Sequence, residues 1–288
     1  MSIYHQCMLF VPGRRLEWLD KARACGSSAV IVDLEDSVAL SEKTTVRLLV
    51  AEKLGSLDQT FPYVVRVNGV DSGLMEDDIR AVVSNSVSCI MLPKVESMAS
   101  IAIAAEIISE VEDYFAIRRN SIDLLPIIET AAGLAAAREI AGASPRVKRL
   151  SFGAADFVAD TGMEWSRNNP GLTAAKTWLV ISSRVADLAA PVDSVFADVR
   201  DPEGLRLEAE QARALGFAGK ACIHPDQVSV VSDVFGVRTA ELEWSRKIVM
   251  EFERAERQGI ASIAVDGRLV DYAMVKRAKQ IISENALG

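Results

Sequence analysis

Leu124-Leu125-Pro126-Ile127-Ile128-Glu129-Thr130 is an apolar run that ends abruptly in a carboxylate. A run apolar on both faces predicts a buried strand in a parallel sheet covered on each side, with the acid emerging where the strand leaves the core. Barrels and open α/β sheets carry their chemistry at that end of the strand. One helix and strand later, Lys148-Arg149-Leu150-Ser151-Phe152-Gly153-Ala154-Ala155-Asp156 reads as a second strand that ends in a second carboxylate after small residues. Adjacent strand ends would then offer Glu129 and Asp156 together. Two oxygen ligands with room left for water are what a Mg²⁺ site needs, because that ion keeps several waters and takes few carboxylates. Taken singly, each acid is better explained as the start of the next helix, where a negative charge suits the dipole.

The same pattern recurs on both sides of this stretch. Residues 8–12 predict a short strand, Gly13-Arg14-Arg15 a turn, and residues 16–24 a helix. Val30-Ile31-Val32-Asp33-Leu34-Glu35-Asp36 is an apolar strand that turns acidic at its end, ahead of a helix over 41–54. A third strand over 62–69 carries Arg66 and Asn68 near its end, and a helix follows over 75–84. The fourth, over 87–93, runs into Lys94 and Glu96 and a long helix over 97–115. An Ala-rich helix over 131–141 follows the opening strand. After Asp156 the segment 157–169 is polar and long for a strand-to-helix loop, which suits a cover over a site, and residues 170–188 are helical. Ser194-Val195-Phe196-Ala197-Asp198 predicts the seventh strand, and Asp201-Pro202 an N-cap with proline at the first helical position. Gly219-Lys220-Ala221-Cys222-Ile223-His224-Pro225 predicts the eighth.

Eight strand-then-helix units without a linker match a (β/α)₈ TIM barrel far better than a doubly wound sheet. On this reading Glu35, Arg66, Lys94, Glu129, Asp156, Asp198 and His224 share the C-terminal face of the strands, where barrel enzymes act. Residues 1–236 are expected to form the barrel. Residues 237–288 are expected to add a helix over 238–258, a hairpin turning at Asp266-Gly267, and a last helix over 271–285. This extension is surplus to a barrel and is expected to pack on a neighbouring subunit.

Of 288 residues, half are hydrophobic and a quarter charged, enough for one large core or two modest ones, and the net charge of -8 argues against general attraction to nucleic acid or anionic membrane. Cys7, Cys25, Cys89 and Cys222 form no CxxC, so neither a zinc ribbon nor a redox dithiol is expected. With no basic leader and no stretch approaching a membrane span, a cytoplasmic protein is expected.

Several familiar motifs fail. Gly216-Phe217-Ala218-Gly219-Lys220-Ala221 is too short for a Walker loop and lacks its Ser/Thr, and no GxGxxG opens a helix. His5 and His224 are the only histidines, which excludes a multi-histidine zinc site, and there is no GxSxG elbow. Arg66, at the end of an apolar strand, must be paired. Its planar fork suits a substrate carboxylate or developing enolate oxygen, or equally a salt bridge to one of the strand-end acids. Lys94, between Pro93 and Glu96, reads as an ion-paired lysine rather than a Schiff-base nucleophile. His224 is as an acid or base less expected than as a histidine satisfied by a backbone partner, and Asp271 is well placed for a helix N-cap.

Together, Phe10-Val11-Pro12-Gly13, Asp33-Leu34-Glu35-Asp36-Ser37-Val38, Val65-Arg66-Val67-Asn68, Leu92-Pro93-Lys94-Val95-Glu96, Ile128-Glu129-Thr130, Phe152-Gly153-Ala154-Ala155-Asp156 and Gly219-Lys220-Ala221-Cys222-Ile223-His224-Pro225 resemble the citrate lyase beta-subunit-like family, which includes malyl-CoA and citramalyl-CoA lyases. The motifs recur in order across nearly the whole chain. The resemblance implies a β/α barrel with a C-terminal extension, assembled as a homo-oligomer, a trimer or a multiple of it. It also implies Mg²⁺-dependent, reversible cleavage of a 3-hydroxyacyl thioester into a small 2-oxo acid and an acyl-CoA. By the same resemblance Glu129 and Asp156 match the metal ligands and Arg66 the arginine that steadies the thioester oxygen. Asp271 resembles the aspartate that some members lend to a neighbour's site, although Ala273 stands where many members have proline. Glu35 is expected beside Arg66 among the catalytic groups, and Lys94, Lys220 and His224 on the cofactor-binding side. Competing readings are a malyl-CoA thioesterase, a citrate lyase beta subunit acting on a thioester of an acyl carrier protein, and a non-catalytic scaffold.

Overall fold

The computed structural model describes residues 6–286 apart from 58, 167, 168 and 237. Eight parallel strands, β1 (Cys7–Pro12), β2 (Ala29–Asp33), β3 (Tyr63–Arg66), β4 (Val87–Leu92), β5 (Asp123–Ile128), β6 (Ser151–Phe152), β7 (Val192–Asp193) and β8 (Gly219–Cys222), pair in sequence order, and β8 returns to β1. The expected (β/α)₈ barrel is therefore what the chain forms.

Alternation along each strand divides the core in two. Met8, Ile31, Val64, Met91, Leu125, Ile127 and Val192 fill the barrel interior. Residues of the other parity, such as Leu9, Val30, Val32, Val65, Ile90 and Leu124, pack outward against the helices. Strands apolar on both faces, such as Ala29–Asp33, are stable only in this position, where each buried Val, Leu or Ile contributes about 2 kcal/mol.

The far side of the barrel departs from the sequence reading. β6 and β7 are two residues each, and β7 lies at Val192–Asp193 rather than at 194–198, leaving Asp198 exposed in the following loop. Asp156 does not end a strand. It sits in the first turn of a helix, Ala154–Thr161, whose Ala154, Phe157 and Val158 are buried at helical spacing. Part of the predicted covering loop is thus that helix. Another helix, Pro225–Phe235, follows β8 and completes the eighth unit.

A strand as short as β7 buries little apolar surface, and an ion cluster holds its place. The fully buried Asp193 of β7 lies 2.8 Å from Lys176 Nζ and 2.7 Å from Lys220 Nζ, and Lys220 reaches Glu208 at 2.6 Å. β7 and β8 are thereby tied to the helices Pro170–Val185 and Pro202–Leu215.

Contacts divide the chain into two compact units, Met1–Phe235 and Gly236–Gly288. In the second, the helices Thr239–Glu256 and Tyr272–Ala286 pack on each other and on a hairpin, β9 (Ile263–Val265) and β10 (Arg268–Val270), around Ile248, Phe252, Val265, Val270 and Val275. Asp266 and Gly267 have φ of 48° and 75°. Positive φ at both central residues is the two-residue turn that matches strand twist. Lys247 Nζ holds both carboxylate oxygens of Asp266, at 2.7 and 2.8 Å.

Candidate active site

Charged residues gather just beyond the C-terminal ends of β2 to β6. Asp33 ends β2 and Arg66 ends β3, where the two residues are register partners. Arg66 donates from Nε to Asp33 Oδ1 at 2.7 Å and from Nη2 to Oδ2 at 2.8 Å, the bidentate arrangement a guanidinium fits best. Its Nη1 lies 3.0 Å from Glu35 Oε2, without hydrogen-bond geometry, and 3.3 Å from Asp36. The Phe10 ring lies 5.0 Å from the guanidinium carbon. Burial alone would raise the Asp33 carboxyl, but the hydrogen bonds and charge of Arg66 hold it below its ordinary value. Burial pushes Glu35 up despite Arg66 and Lys94.

A second ring of contacts fixes the backbone of this region. Asp78, fully buried, accepts from the backbone N–H of Asn68 at 2.9 Å, from its Nδ2 at 2.6 Å and from Arg47 Nε at 2.6 Å. Asn68 Nδ2 also donates to the Leu34 carbonyl at 3.1 Å. Lys43 Nζ donates to the carbonyls of Leu34 at 2.7 Å and Glu35 at 2.5 Å, pinning the acidic loop after β2. Sequence reading singled out neither Asp33 as the partner of Arg66 nor Lys43 and Asp78 as supports. Crowding of Asp33, Glu35 and Asp36 was a signal for the first. Nothing local marked the others, which act across 9 and 10 residues.

Lys94 links the two halves of the mouth. Its Nζ is 2.6 Å from Glu35 Oε1 and 3.8 Å from Asp156 Oδ1, and its backbone N–H donates to Glu129 Oε1 at 2.8 Å. Glu129 is nearly completely buried. Its other side rests on Gly153, where a Cβ would overlap the Glu129 carboxylate, so glycine is required for close approach rather than for its backbone angles. Burial first, and then the charges of Asp156 and Glu35, push the Glu129 carboxyl up to about 7 against the Lys94 N–H.

A divalent cation against Glu129 and Asp156 would relieve both causes of that shift, and the half-exposed Asp156 leaves room for water and substrate. The pair therefore fits Mg²⁺. Among the described residues no group of three or more His, Cys, Asp or Glu side chains forms a metal cage, so the fit rests on these two carboxylates with other oxygens completing the shell.

The remaining candidates have other partners. Lys220 has the parity of Cys222, which packs outward, and it is fully buried between Asp193 and Glu208 behind the barrel wall. A lysine so enclosed cannot reach a ligand at the mouth. His224 stands beyond β8 with its Nδ1 accepting the Asp226 N–H at 3.2 Å, the backbone partner its sequence context suggested. Asp271 belongs to the second unit, where its Oδ1 accepts the Met274 N–H at 3.0 Å.

The chain as a whole is similar to several known proteins. The family model described as HpcH/HpaI aldolase/citrate lyase matches residues 6–225. The chain is 32% identical over 276 residues to the citrate lyase subunit beta of Leuconostoc mesenteroides subsp. cremoris, covering 96% of this chain and 91% of that one. It is 33% identical over 304 residues to the L-malyl-CoA/beta-methylmalyl-CoA lyase of Cereibacter sphaeroides, covering 97% and 94%. Among solved structures, the protein CitE of Mycobacterium tuberculosis in complex with magnesium, acetoacetate and coenzyme A is similar with a TM-score of 0.76 at 28% identity, over 98% of both chains.

Proposed function

The chain belongs to the HpcH/HpaI aldolase/citrate lyase family, and from that premise we propose that it is a Mg²⁺-dependent carbon–carbon lyase acting on a short 3-hydroxyacyl-CoA such as malyl-CoA or citramalyl-CoA. The observation that carries this reading is the joining of two half-sites. Glu129 and Asp156 form a carboxylate pair suited to the ion, and Lys94 and Glu35 connect it to a guanidinium clamped in place.

In the cleavage direction the hydroxyl proton passes to water, the C–C bond breaks to give the 2-oxo acid, and the electron pair passes to the thioester as an enolate. Held by Glu129 and Asp156, Mg²⁺ would supply Lewis-acid polarisation of the oxo-acid half. Arg66 faces the other half, and because Asp33 fixes it before charge develops, stabilising the enolate oxygen requires little reorganisation. Glu35 positions Arg66 and Lys94 relative to each other. The enolate carbon then takes a proton, for which Asp271 is the proposed donor, serving as base in the reverse direction.

One relative is named for citrate and another for L-malyl-CoA and beta-methylmalyl-CoA, so the acyl carrier is part of the proposal, as are a homo-oligomeric assembly and a cytoplasmic location. No helix among the described residues is long and apolar enough to cross a membrane. The test is a panel assay of acetyl-CoA and propionyl-CoA with glyoxylate, pyruvate or oxaloacetate, with and without Mg²⁺. Mg²⁺-dependent formation of a hydroxyacyl-CoA is expected. Free CoA released from malyl-CoA without recoverable acetyl-CoA would indicate a thioesterase, and activity only on a carrier-protein thioester would indicate a citrate lyase subunit.

A further inference from the structure

Lys94 follows Pro93 just after β4 with φ of 50°, in the left-handed region that disfavours any residue with a Cβ. Glycine would make the same turn and donate the same N–H to Glu129 more readily. What glycine cannot supply is the ammonium. That group crosses the barrel mouth to lie 2.6 Å from Glu35 and 3.8 Å from Asp156, while the N–H of the same residue lies 2.8 Å from Glu129. One strained residue thus engages three carboxylates that follow three different strands.

We infer that Lys94 is a tethered counter-ion of this cluster: it holds Glu35, Glu129 and Asp156 in place before a divalent cation arrives and, by its like charge, weakens the affinity with which that cation is taken up. The inference rests on the proposed assignment of Glu129 and Asp156 as metal ligands. Carboxylates brought together without compensation repel one another, and a fixed positive charge opposes that repulsion. The same charge repels an incoming cation. Because the Lys94 side chain is 43% exposed, it has freedom to withdraw as the cation enters. Affinity for the free ion is then kept low, and an anionic substrate restores the balance by adding negative charge beside the ion, which couples metal uptake to substrate binding.

The experiment is a titration of the full chain with Mn²⁺, following the free ion by electron paramagnetic resonance, for the wild type and for Lys94→Gly, Lys94→Met, Lys94→Arg and Glu129→Gln. Lys94→Gly keeps the backbone donor in the conformation glycine prefers, so it separates loss of charge from loss of the turn. Both Lys94→Gly and Lys94→Met are expected to bind Mn²⁺ roughly tenfold more tightly than the wild type, the scale for removing one charge from beside the ligands, with Lys94→Arg within about twofold. Unchanged or weaker binding by the glycine and methionine variants, while Glu129→Gln still abolishes binding, would overturn the role of Lys94 and leave the metal assignment standing. Wild-type affinity in Glu129→Gln would overturn the metal assignment and this inference with it.

Discussion

Arg66 and Asp33, register partners at the ends of adjacent parallel strands, are joined by two hydrogen bonds of 2.7 and 2.8 Å in a largely buried setting. The pair makes the arginine a fixed feature of the barrel mouth rather than a mobile surface cation. A cation held this way is more effective toward a charge that appears only during reaction than toward a neutral ground state. Arg66→Lys, which keeps the charge and loses the fork, is expected to lower kcat by about a hundredfold with little change in KM. Asp33→Asn is expected to lower kcat in the same sense, since it frees the guanidinium without removing it. Steady-state kinetics check both. A rise in KM with kcat at the wild-type value would make Arg66 a uniform binding group.

Gly153 and Glu129 offer a test that does not depend on changing a charge. A Cβ at position 153 would collide with the Glu129 carboxylate, although the backbone there, with φ of -110°, tolerates alanine. Gly153→Ala should therefore displace Glu129, lowering kcat/KM by at least about a hundredfold while the circular dichroism of the fold persists. Displacing Glu129 should also weaken divalent-cation binding in the Gly153→Ala chain, and wild-type affinity there would place the effect of Gly153 outside Glu129.

The ion cluster behind β7 and β8 predicts how stability responds to acid. Burial would raise the Asp193 carboxyl, but Lys220 and Lys176 hold it below its ordinary value of 3.8. A depressed carboxyl contributes stability that is present above the unfolded value and lost as pH falls through the folded one. Asp193→Asn leaves two buried ammonium groups without their shared partner and is expected to cost about 3–5 kcal/mol. In urea denaturation the gap between wild type and variant should be full at neutral pH and narrow below about pH 4. A gap that stays constant into acid would mean that the cost comes from packing rather than from charge.

How much of this was legible in the sequence depended on which force set each element. β2 and β5 could be read because Val30-Ile31-Val32 and Leu124-Leu125 are buried on both faces, so the apolar run itself marks the strand. β7 could not, because a two-residue strand is placed by its neighbours β6 and β8 and by the Asp193 ion pairs, none of which is local in sequence. Asp156 was read with Glu129 as a strand-end acid, yet Ala154, Phe157 and Val158 already carried the helical spacing that puts it in a first turn. Lys220, expected on the cofactor-binding side, could not be oriented from its place near a strand end alone. Parity with Cys222 assigns it to the outer layer.

Asp271 carries the strongest claim about assembly. In the second unit it holds the Met274 N–H, a helix-start role that any aspartate there would fill, so its own surroundings do not mark it as catalytic. The unit nevertheless exposes Met250, Leu269 and Tyr272, apolar side chains that gain by being covered. Family resemblance adds the proposal that this segment serves a neighbouring barrel. If Asp271 protonates the enolate in another subunit's site, two inactive variants should complement each other. An Asp271→Ala chain retains Glu129, and a Glu129→Gln chain retains Asp271. After subunit exchange at equal concentrations, random pairing of barrel and donor gives about a quarter of the sites both groups. Recovery of activity toward that fraction, with mixed oligomers verified by mass spectrometry, is the expected result. If mixed oligomers form and activity stays at the level of the separate variants, Asp271 acts within its own subunit or takes no part in the reaction.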